Sequence, residues 1–119
     1  MHELSIADAI VQICCDNAGD GTVVRVEVKV GRLRQVVPDA LRFAFELVAE
    51  GTPVDGAELE IVDVPARVAC RACAAESETP AFPLTCARCG GIDVEVVAGE
   101  ELHVESLEIE RPSVPMARR

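Results

Sequence analysis

Four cysteines occur as two pairs with the same internal spacing. Cys70 and Cys73 form the first pair, Cys86 and Cys89 form the second, and twelve residues separate the pairs. A Cys-x-x-Cys turn places two thiolates on one side of a tight backbone loop, so two such turns can supply a tetrahedron of sulfur ligands. Zn²⁺ prefers that arrangement. The spacing therefore predicts a four-thiolate zinc site that is structural, because it has no open position for a substrate.

Other interpretations of the cysteines remain open at this point. Iron in a rubredoxin-like site fits the same sulfur geometry, and free or redox-active dithiols are a further alternative, disfavoured because the order of elements is not thioredoxin-like. Cys14 and Cys15 are neighbours on a predicted helix, where adjacent side chains point about 100° apart and cannot chelate one metal. Cys14 lies on the apolar stripe and is predicted to be a core residue. Cys15 has no assigned role.

The amino terminus carries a second arrangement of possible ligands. The Met1 amine, the amide nitrogen and imidazole of His2, and the amide nitrogen of Glu3 can close adjacent chelate rings on one metal ion. Such a planar nitrogen set favours Ni²⁺ or Cu²⁺ over Zn²⁺, and the Glu3 carboxylate is an alternative axial donor. By itself, one histidine ahead of a helix favours a linker without a role. His103, the other histidine, is predicted to be an ordinary residue of the last strand.

Composition excludes several classes of function. The chain has 119 residues and a formal charge of −10, from 21 acidic and 11 basic residues. This charge repels phosphate backbones and argues against nucleic-acid binding. No apolar run is long enough to span a bilayer, and the first residues lack the basic region of a signal peptide. We therefore expect a cytoplasmic protein without membrane association, whose cysteines are metal ligands or free thiols rather than disulfides.

Hydrophobic patterning predicts the elements that position these groups. Residues 4–18 have helical periodicity, with Ser5 as the N-cap. The predicted inner stripe of this helix is Ile6, Ala9, Ile10, Ile13 and Cys14. The sequence TVVRVEVKVG alternates as a half-buried strand. Its predicted inner face is Val24, Val26, Val28 and Val30.

The rest of the core pattern contains one helix and two strands. Pro38 is predicted to begin the second helix, and residues 57–64 form a strand. The predicted inner stripe of that helix is Leu41, Ala44, Phe45 and Val48. In the last strand, residues 101–110, the apolar positions change parity, which predicts a bulge near Glu105–Ser106.

The order of elements predicts an α+β fold, with a three-stranded sheet covered by two helices and an inserted four-cysteine zinc-binding subdomain. We expect residues 1–64 and 100–110 to form the α+β core that carries the amino-terminal nickel site. Residues 65–99 would form the zinc-binding subdomain. Residues 111–119 would be a mobile tail, because they have little to bury.

The chain resembles the HypA/HybF family of hydrogenase maturation factors over residues 1–110. The likeness lies in MHELS, GRLRQVVPDALRFAFE, the paired Cys-x-x-Cys motifs and GEELHVESLEIE, in that order. It implies a nickel metallochaperone that supplies the large subunit of [NiFe]-hydrogenase and cooperates with the GTPase HypB; some members also serve urease. It places the nickel ligand at His2, with Met1, Glu3 and, more weakly, Asp39 as co-ligands. The implied zinc ligands are Cys70, Cys73, Cys86 and Cys89.

Two rival functions can be weighed on the same residues. A zinc-ribbon module for protein interaction or regulation in transcription or RNA work needs a basic surface, but residues 65–97 carry a net charge of −1 before the thiolates are counted. A metallohydrolase needs an open metal position backed by a general base, which the sequence does not supply. We therefore expect a carrier without catalytic activity, in which Zn²⁺ is structural and Ni²⁺ is the cargo.

Overall fold

The computed structural model of the chain describes residues 3–80 and 82–112, and these residues form two α-helices, six strands and one short 3₁₀ helix. In chain order the elements are α1 (Glu3–Ala18), β1 (Thr22–Gly31), the 3₁₀ helix (Arg32–Arg34), α2 (Pro38–Ala49), β2 (Glu58–Val64), β3 (Arg67–Cys70), β4 (Glu76–Glu78), β5 (Val94–Ala98) and β6 (Leu102–Glu110). Neither helix is long and apolar enough to cross a membrane.

The first sheet has the strand order β2-β1-β6, and both helices pack on it. β1 and β2 are parallel because α2 carries the chain back between them, whereas β6 is antiparallel to β1. The second sheet, β4-β3-β5, is antiparallel and interrupts the chain between β2 and β6. The predicted α+β architecture with an inserted four-cysteine segment is confirmed.

The core lies between the helices and the first sheet. Phe45 and Leu41 are the largest fully buried side chains, Ala44 is also buried and Val48 is partly buried, so the predicted inner stripe of α2 is confirmed. Burying a side chain the size of leucine or phenylalanine stabilises the fold by about 1.5–3 kcal/mol.

The buried face of α1 differs from the predicted stripe. The helix begins at Glu3, so Ser5 lies within the first turn and is not the N-cap. Ala9 and Ile13 are exposed, and Ile13 has 44% of its surface accessible. The reason is that α1 packs against α2 as well as against the sheet, which turns its buried face toward the neighbouring helix. That face consists of Ile6, Ala7, Ile10, Val11, Cys14 and Ala18.

Two bulges set which residues of β1 and β6 face the core. Val26, Val28 and Val30 are buried as predicted, but Val24 is exposed and Val23 is buried in its place. The pairing with β6 shifts between Val23 and Arg25, which makes Val24 the extra residue of a bulge.

The second bulge was predicted from the parity change. Glu27 pairs with Ser106 and Val28 pairs with Val104, so Glu105 is the extra residue and the bulge near Glu105–Ser106 is confirmed. Apolar side chains on both sides of this bulge pack against the core as a result. They are Leu102, Val104, Leu107 and Ile109.

The junction between the two sheets is a close backbone approach. A side chain on Gly31 would collide with the Gly99 carbonyl group. The Gly31 amide donates to the Glu101 carbonyl oxygen at 2.7 Å, and the Leu33 amide donates to that of Gly99 at 2.9 Å. These contacts attach the end of β1 to the chain that returns from the second sheet, and so fix where the cysteine segment ends.

Candidate metal centres

The four paired cysteines converge on one point. Their Sγ atoms all lie within 4.8 Å of one another, with 3.7 Å between Cys70 and Cys89 and 3.6 Å between Cys73 and Cys86. A tetrahedral zinc ion with Zn–S bonds of about 2.3 Å requires sulfurs about 3.8 Å apart. The donor set and its dimensions fit a four-thiolate ion of this kind, with every tetrahedral position taken by sulfur.

The same two backbone hydrogen bonds close each cysteine turn. In each turn, the backbone N–H of the residue after the second cysteine donates to the carbonyl oxygen of the first cysteine. The N–H of the first cysteine donates to the carbonyl oxygen of the residue two positions after the second cysteine. The pairs are Ala74–Cys70 (2.9 Å) and Cys70–Ala75 (2.9 Å) in the first turn, and Gly90–Cys86 (2.8 Å) and Cys86–Gly91 (2.9 Å) in the second. Two short local turns of equal design therefore build the cluster.

The two turns differ in the residue that takes the left-handed backbone conformation. This residue is Ala74 in the first turn, with φ of 64°, and Gly90 in the second, with φ of 74°. Glycine adopts that conformation freely, whereas a residue with a Cβ pays about 1–2 kcal/mol. The first turn is thus held against a conformational cost that the second turn avoids.

Burial and hydrogen bonding divide the four thiols. Cys70 and Cys86 are buried, and Cys73 and Cys89 are exposed. The backbone N–H of Cys89, 3.5 Å from Sγ of Cys86, lowers the pKa of the Cys86 thiol to about 6. The N–H of Ala75 lowers the pKa of the Cys73 thiol, but hydrogen bonding to the Cys86 sulfur, partial desolvation and the other two cluster sulfurs together raise it to about 11. The Cys86 thiolate is thus favoured by the backbone, whereas a cation that binds here must displace the proton of Cys73.

Side chains outside the cluster attach the second turn to the sheet. Ser77 on β4 accepts a hydrogen bond from the Ala87 amide at 3.1 Å. Arg71 in the first turn forms an ion pair with Asp93 at 2.9 Å, and its amide donates to the Asp93 carbonyl oxygen. These contacts hold both turns in register, so that the sulfurs are preorganised for one ion.

The amino-terminal candidates are placed only in part, because Met1 and His2 lie outside the described residues. Glu3 accepts a hydrogen bond through Oε2 from the backbone N–H of Val37 at 3.0 Å, which brings the starts of α1 and α2 together. The Asp39 carboxylate, in the first turn of α2, is fully exposed and lies 3.9 Å from the Arg42 guanidinium. Sequence patterning gives no signal for the Glu3–Val37 contact, since 34 residues separate the partners.

The remaining candidates have other surroundings. His103 Nε2 lies 2.9 Å from Glu105 Oε1 on the sheet surface, and this hydrogen bond, together with the charge of Lys29, lowers the pKa of Glu105. Cys14 is fully buried, as predicted, and burial followed by the charge of Cys15 raises its pKa to about 11. A thiol of this kind is an inert core residue.

A small α+β core with an inserted four-sulfur cluster defines a metal-binding protein. The family model described as "Hydrogenase/urease nickel incorporation, metallochaperone, hypA" matches residues 1–109, and the chain belongs to this HypA family. The resemblance found in the sequence motifs is thereby confirmed, and with it a role in nickel incorporation for hydrogenase maturation.

Named relatives and solved structures agree with this assignment. The chain is 46% identical over 110 residues to the hydrogenase maturation factor HypA of Geotalea uraniireducens, which covers 92% of this chain and 100% of the relative. It is 37% identical over 114 residues to the hydrogenase maturation factor HypA of Trichormus variabilis, and this match covers 96% of this chain and 100% of the relative. The solution structure of the Ni metallochaperone HypA from Helicobacter pylori is similar to it, with a TM-score of 0.66 and 26% identity, over 94% of this chain and 100% of that structure.

Proposed function

We propose that this chain binds Ni²⁺ at its amino terminus and delivers it during the maturation of [NiFe]-hydrogenase. The observation that carries the proposal is the match of residues 1–109 to a family of nickel-incorporation metallochaperones. His2 is the principal nickel ligand, and the Met1 amine, Glu3 and Asp39 are candidate co-ligands. A planar set of nitrogen donors at a chain end suits Ni²⁺ and leaves the ion accessible for transfer.

The four cysteines hold Zn²⁺ as a structural ion. Four sulfurs at tetrahedral separations favour zinc and leave no coordination position for exchange. The segment between β2 and β6 buries few apolar side chains among the described residues, so metal binding supplies much of its folding free energy. Residues 65–99 are then the zinc-binding subdomain, attached to an α+β core of residues 1–64 and 100–110.

The chain acts as a carrier rather than an enzyme. Neither metal site combines an open coordination position with a general base, so neither can activate water or a substrate. Its partners in this scheme are a HypB-like GTPase and the hydrogenase large subunit, with urease maturation factors as further recipients. Transfer to those partners takes place in the cytoplasm.

Metal analysis of His2→Ala beside the native chain tests this proposal. Both proteins are purified without a tag, and zinc and nickel contents are measured before and after addition of Ni²⁺. The proposal predicts one zinc in each protein and at least a tenfold weaker nickel affinity in the variant, about 1.4 kcal/mol. His103→Ala is the matched control and should change nickel affinity little. Equal nickel affinity in the native chain and His2→Ala would reject the amino-terminal site.

A further inference from the structure

One side of α1 carries apolar residues that the fold leaves uncovered. Ile6, Ala9, Ile10 and Ile13 follow one another at helical spacing, a pattern typical of a helix face that packs on a core. Ile6 and Ile10 are buried, but Ala9 and Ile13 are exposed, and Ile13 has 44% of its surface accessible. The apolar stripe is therefore wider than the surface that the sheet and α2 cover.

The strand beside this stripe is β6, which lies at one end of the first sheet. Within residues 3–80 and 82–112, β6 pairs along one edge with β1 and has no strand on its other edge. A free edge presents backbone N–H and C=O groups that another chain can bind. The inward-facing apolar side chains of β6 are only partly buried. They are Leu102, Val104, Leu107 and Ile109.

A groove of about 260 Å³ lies between α1 and the first residues of β6. Its floor reaches Val28 on the central strand, and Ile13 and Val104 lie on its two walls. Pockets that hold drug-sized molecules have volumes of about 300–1,000 Å³. The groove is smaller and mostly apolar, so it suits a few aliphatic side chains of a protein segment better than a cofactor.

Charge on the outer face of β6 restricts what can pair with its edge. Glu105, Glu108 and Glu110 are exposed. The nearby cations are Lys29, 3.8 Å from Glu105, and Arg25, which is 3.5 Å from Glu108 and shared with a carboxylate of β2. Carboxylates thus outnumber cations along this edge. Lysine or arginine on an added strand is attracted, whereas a second copy of β6 would place glutamates beside glutamates. The bulge at Glu105 further guards the edge against indiscriminate pairing.

We infer that the groove between α1 and β6 docks an extended segment of a partner protein, in which apolar residues alternate with lysine or arginine. The segment adds a fourth strand at the free edge of β6. Because side chains alternate along a strand, its apolar residues enter the groove beside Ile13 and Val104, and its basic residues lie beside Glu105 and Glu108. The inference goes beyond the proposed function and does not depend on nickel binding.

Synthetic peptides test the chemistry of the occupant. The probe is a nine-residue peptide of alternating lysine and valine, equal in length to β6, added to the zinc-loaded full chain without nickel. One control peptide has glutamate in place of lysine, and another has the same composition with its valines in one block. Calorimetry should show both controls binding at least about tenfold more weakly than the probe. Equal affinities for all three peptides would overturn the inference.

Two substitutions locate the binding surface. Ile13→Glu places a charge in the groove and should weaken binding of the probe at least about tenfold. Leu47→Glu is the matched control, because Leu47 is also an exposed apolar residue of a helix, with 49% of its surface accessible, and does not line the groove. It should change the affinity by less than about twofold. Equal weakening in the two variants, or native affinity in Ile13→Glu, would overturn the inference. Circular dichroism confirms that both variants retain their helices.

Hydrogen exchange shows whether the peptide pairs with the strand edge. On addition of the probe, amides of β6 that do not bond to β1 should exchange more slowly, while those of β2, the other end strand, should stay unchanged. Protection at β2, or none at β6, would overturn the inference. Sedimentation without peptide tests the other occupant. The same oligomeric state in the native chain and in Ile13→Glu supports docking of a partner segment, whereas self-association that Ile13→Glu abolishes would show that the groove binds a second copy.

Discussion

The cysteine cluster and the amino-terminal end of α1 differ in how completely the fold builds a metal site. Two local turns, four backbone hydrogen bonds and an ion pair preorganise the sulfurs before any metal arrives. At the start of α1, Glu3 accepts a hydrogen bond from the Val37 N–H, and the Asp39 carboxylate at the start of α2 is exposed. A closed site with four sulfur ligands retains its ion, whereas the proposed site at the amino terminus would leave its ion open to exchange. The contrast is consistent with the proposal of a structural metal in one place and a transferable metal in the other.

The largest expected effect comes from breaking the closed site. Cys73→Ser or Cys86→Ser removes one of four thiolates, and because structural zinc contributes on the order of 10 kcal/mol to folding of its segment, the second sheet should unfold and zinc should be lost. The helices of the core should persist, since their buried residues lie elsewhere. Zinc analysis and backbone amide spectra measure both effects. Full zinc content in both variants would contradict the four-thiolate assignment.

Lowering the pH tests the closed site in a second way, because protons compete with Zn²⁺ for the cluster sulfurs. Zinc binding releases the proton of Cys73, whose pKa is about 11, throughout the neutral range. Below about pH 6 the Cys86 thiolate also gains a proton, because its pKa is about 6. Zinc affinity should therefore rise with pH, and its dependence on pH should steepen by one proton below about pH 6. Zinc competition against a chelator at several pH values measures the slope, and an affinity independent of pH would contradict the account.

Each site can be predicted from the sequence only as far as its contacts are local in the sequence. The cysteine pairs are local turns, so spacing alone predicts that they can converge. The bulge at Glu105 is also readable, because the parity of the apolar residues in β6 changes there. The exposure of Ala9 and Ile13 is not readable, because the packing of α2 decides which face of α1 is buried.

Long-range contacts cannot be predicted from local sequence patterns, because they too depend on how the elements pack. Glu3 and Val37 belong to different helical segments, and neither residue type demands the other. Val24 is exposed because the first bulge displaces it, although strict alternation along β1 assigns it to the core. Such features depend on how elements meet, which no local pattern encodes.

A smaller effect distinguishes the two cysteine turns from each other. Ala74→Gly should stabilise the zinc-loaded protein by about 1 kcal/mol, because glycine adopts the left-handed conformation without strain. Gly90→Ala should destabilise it by about as much, and by conformation alone, because a Cβ there meets no atom within 4 Å. Thermal unfolding with zinc bound measures both changes. The opposite signs are the test, and a shift of the same sign in both variants would show that backbone strain is not the cause.

The central claim is that nickel binds at the chain end, and an extension of the amino terminus tests it most directly. Extra residues before Met1 convert the amine to an amide and remove the end of the chain that lets the chelate rings close. Nickel affinity, measured by calorimetry, should fall at least about tenfold, or ~1.4 kcal/mol. A pH-dependent square-planar Ni²⁺ absorption band should disappear, while zinc content and helical signal stay unchanged. If the extended protein binds nickel as tightly as the native chain, the amine is not a ligand, and the amino-terminal chelate is contradicted.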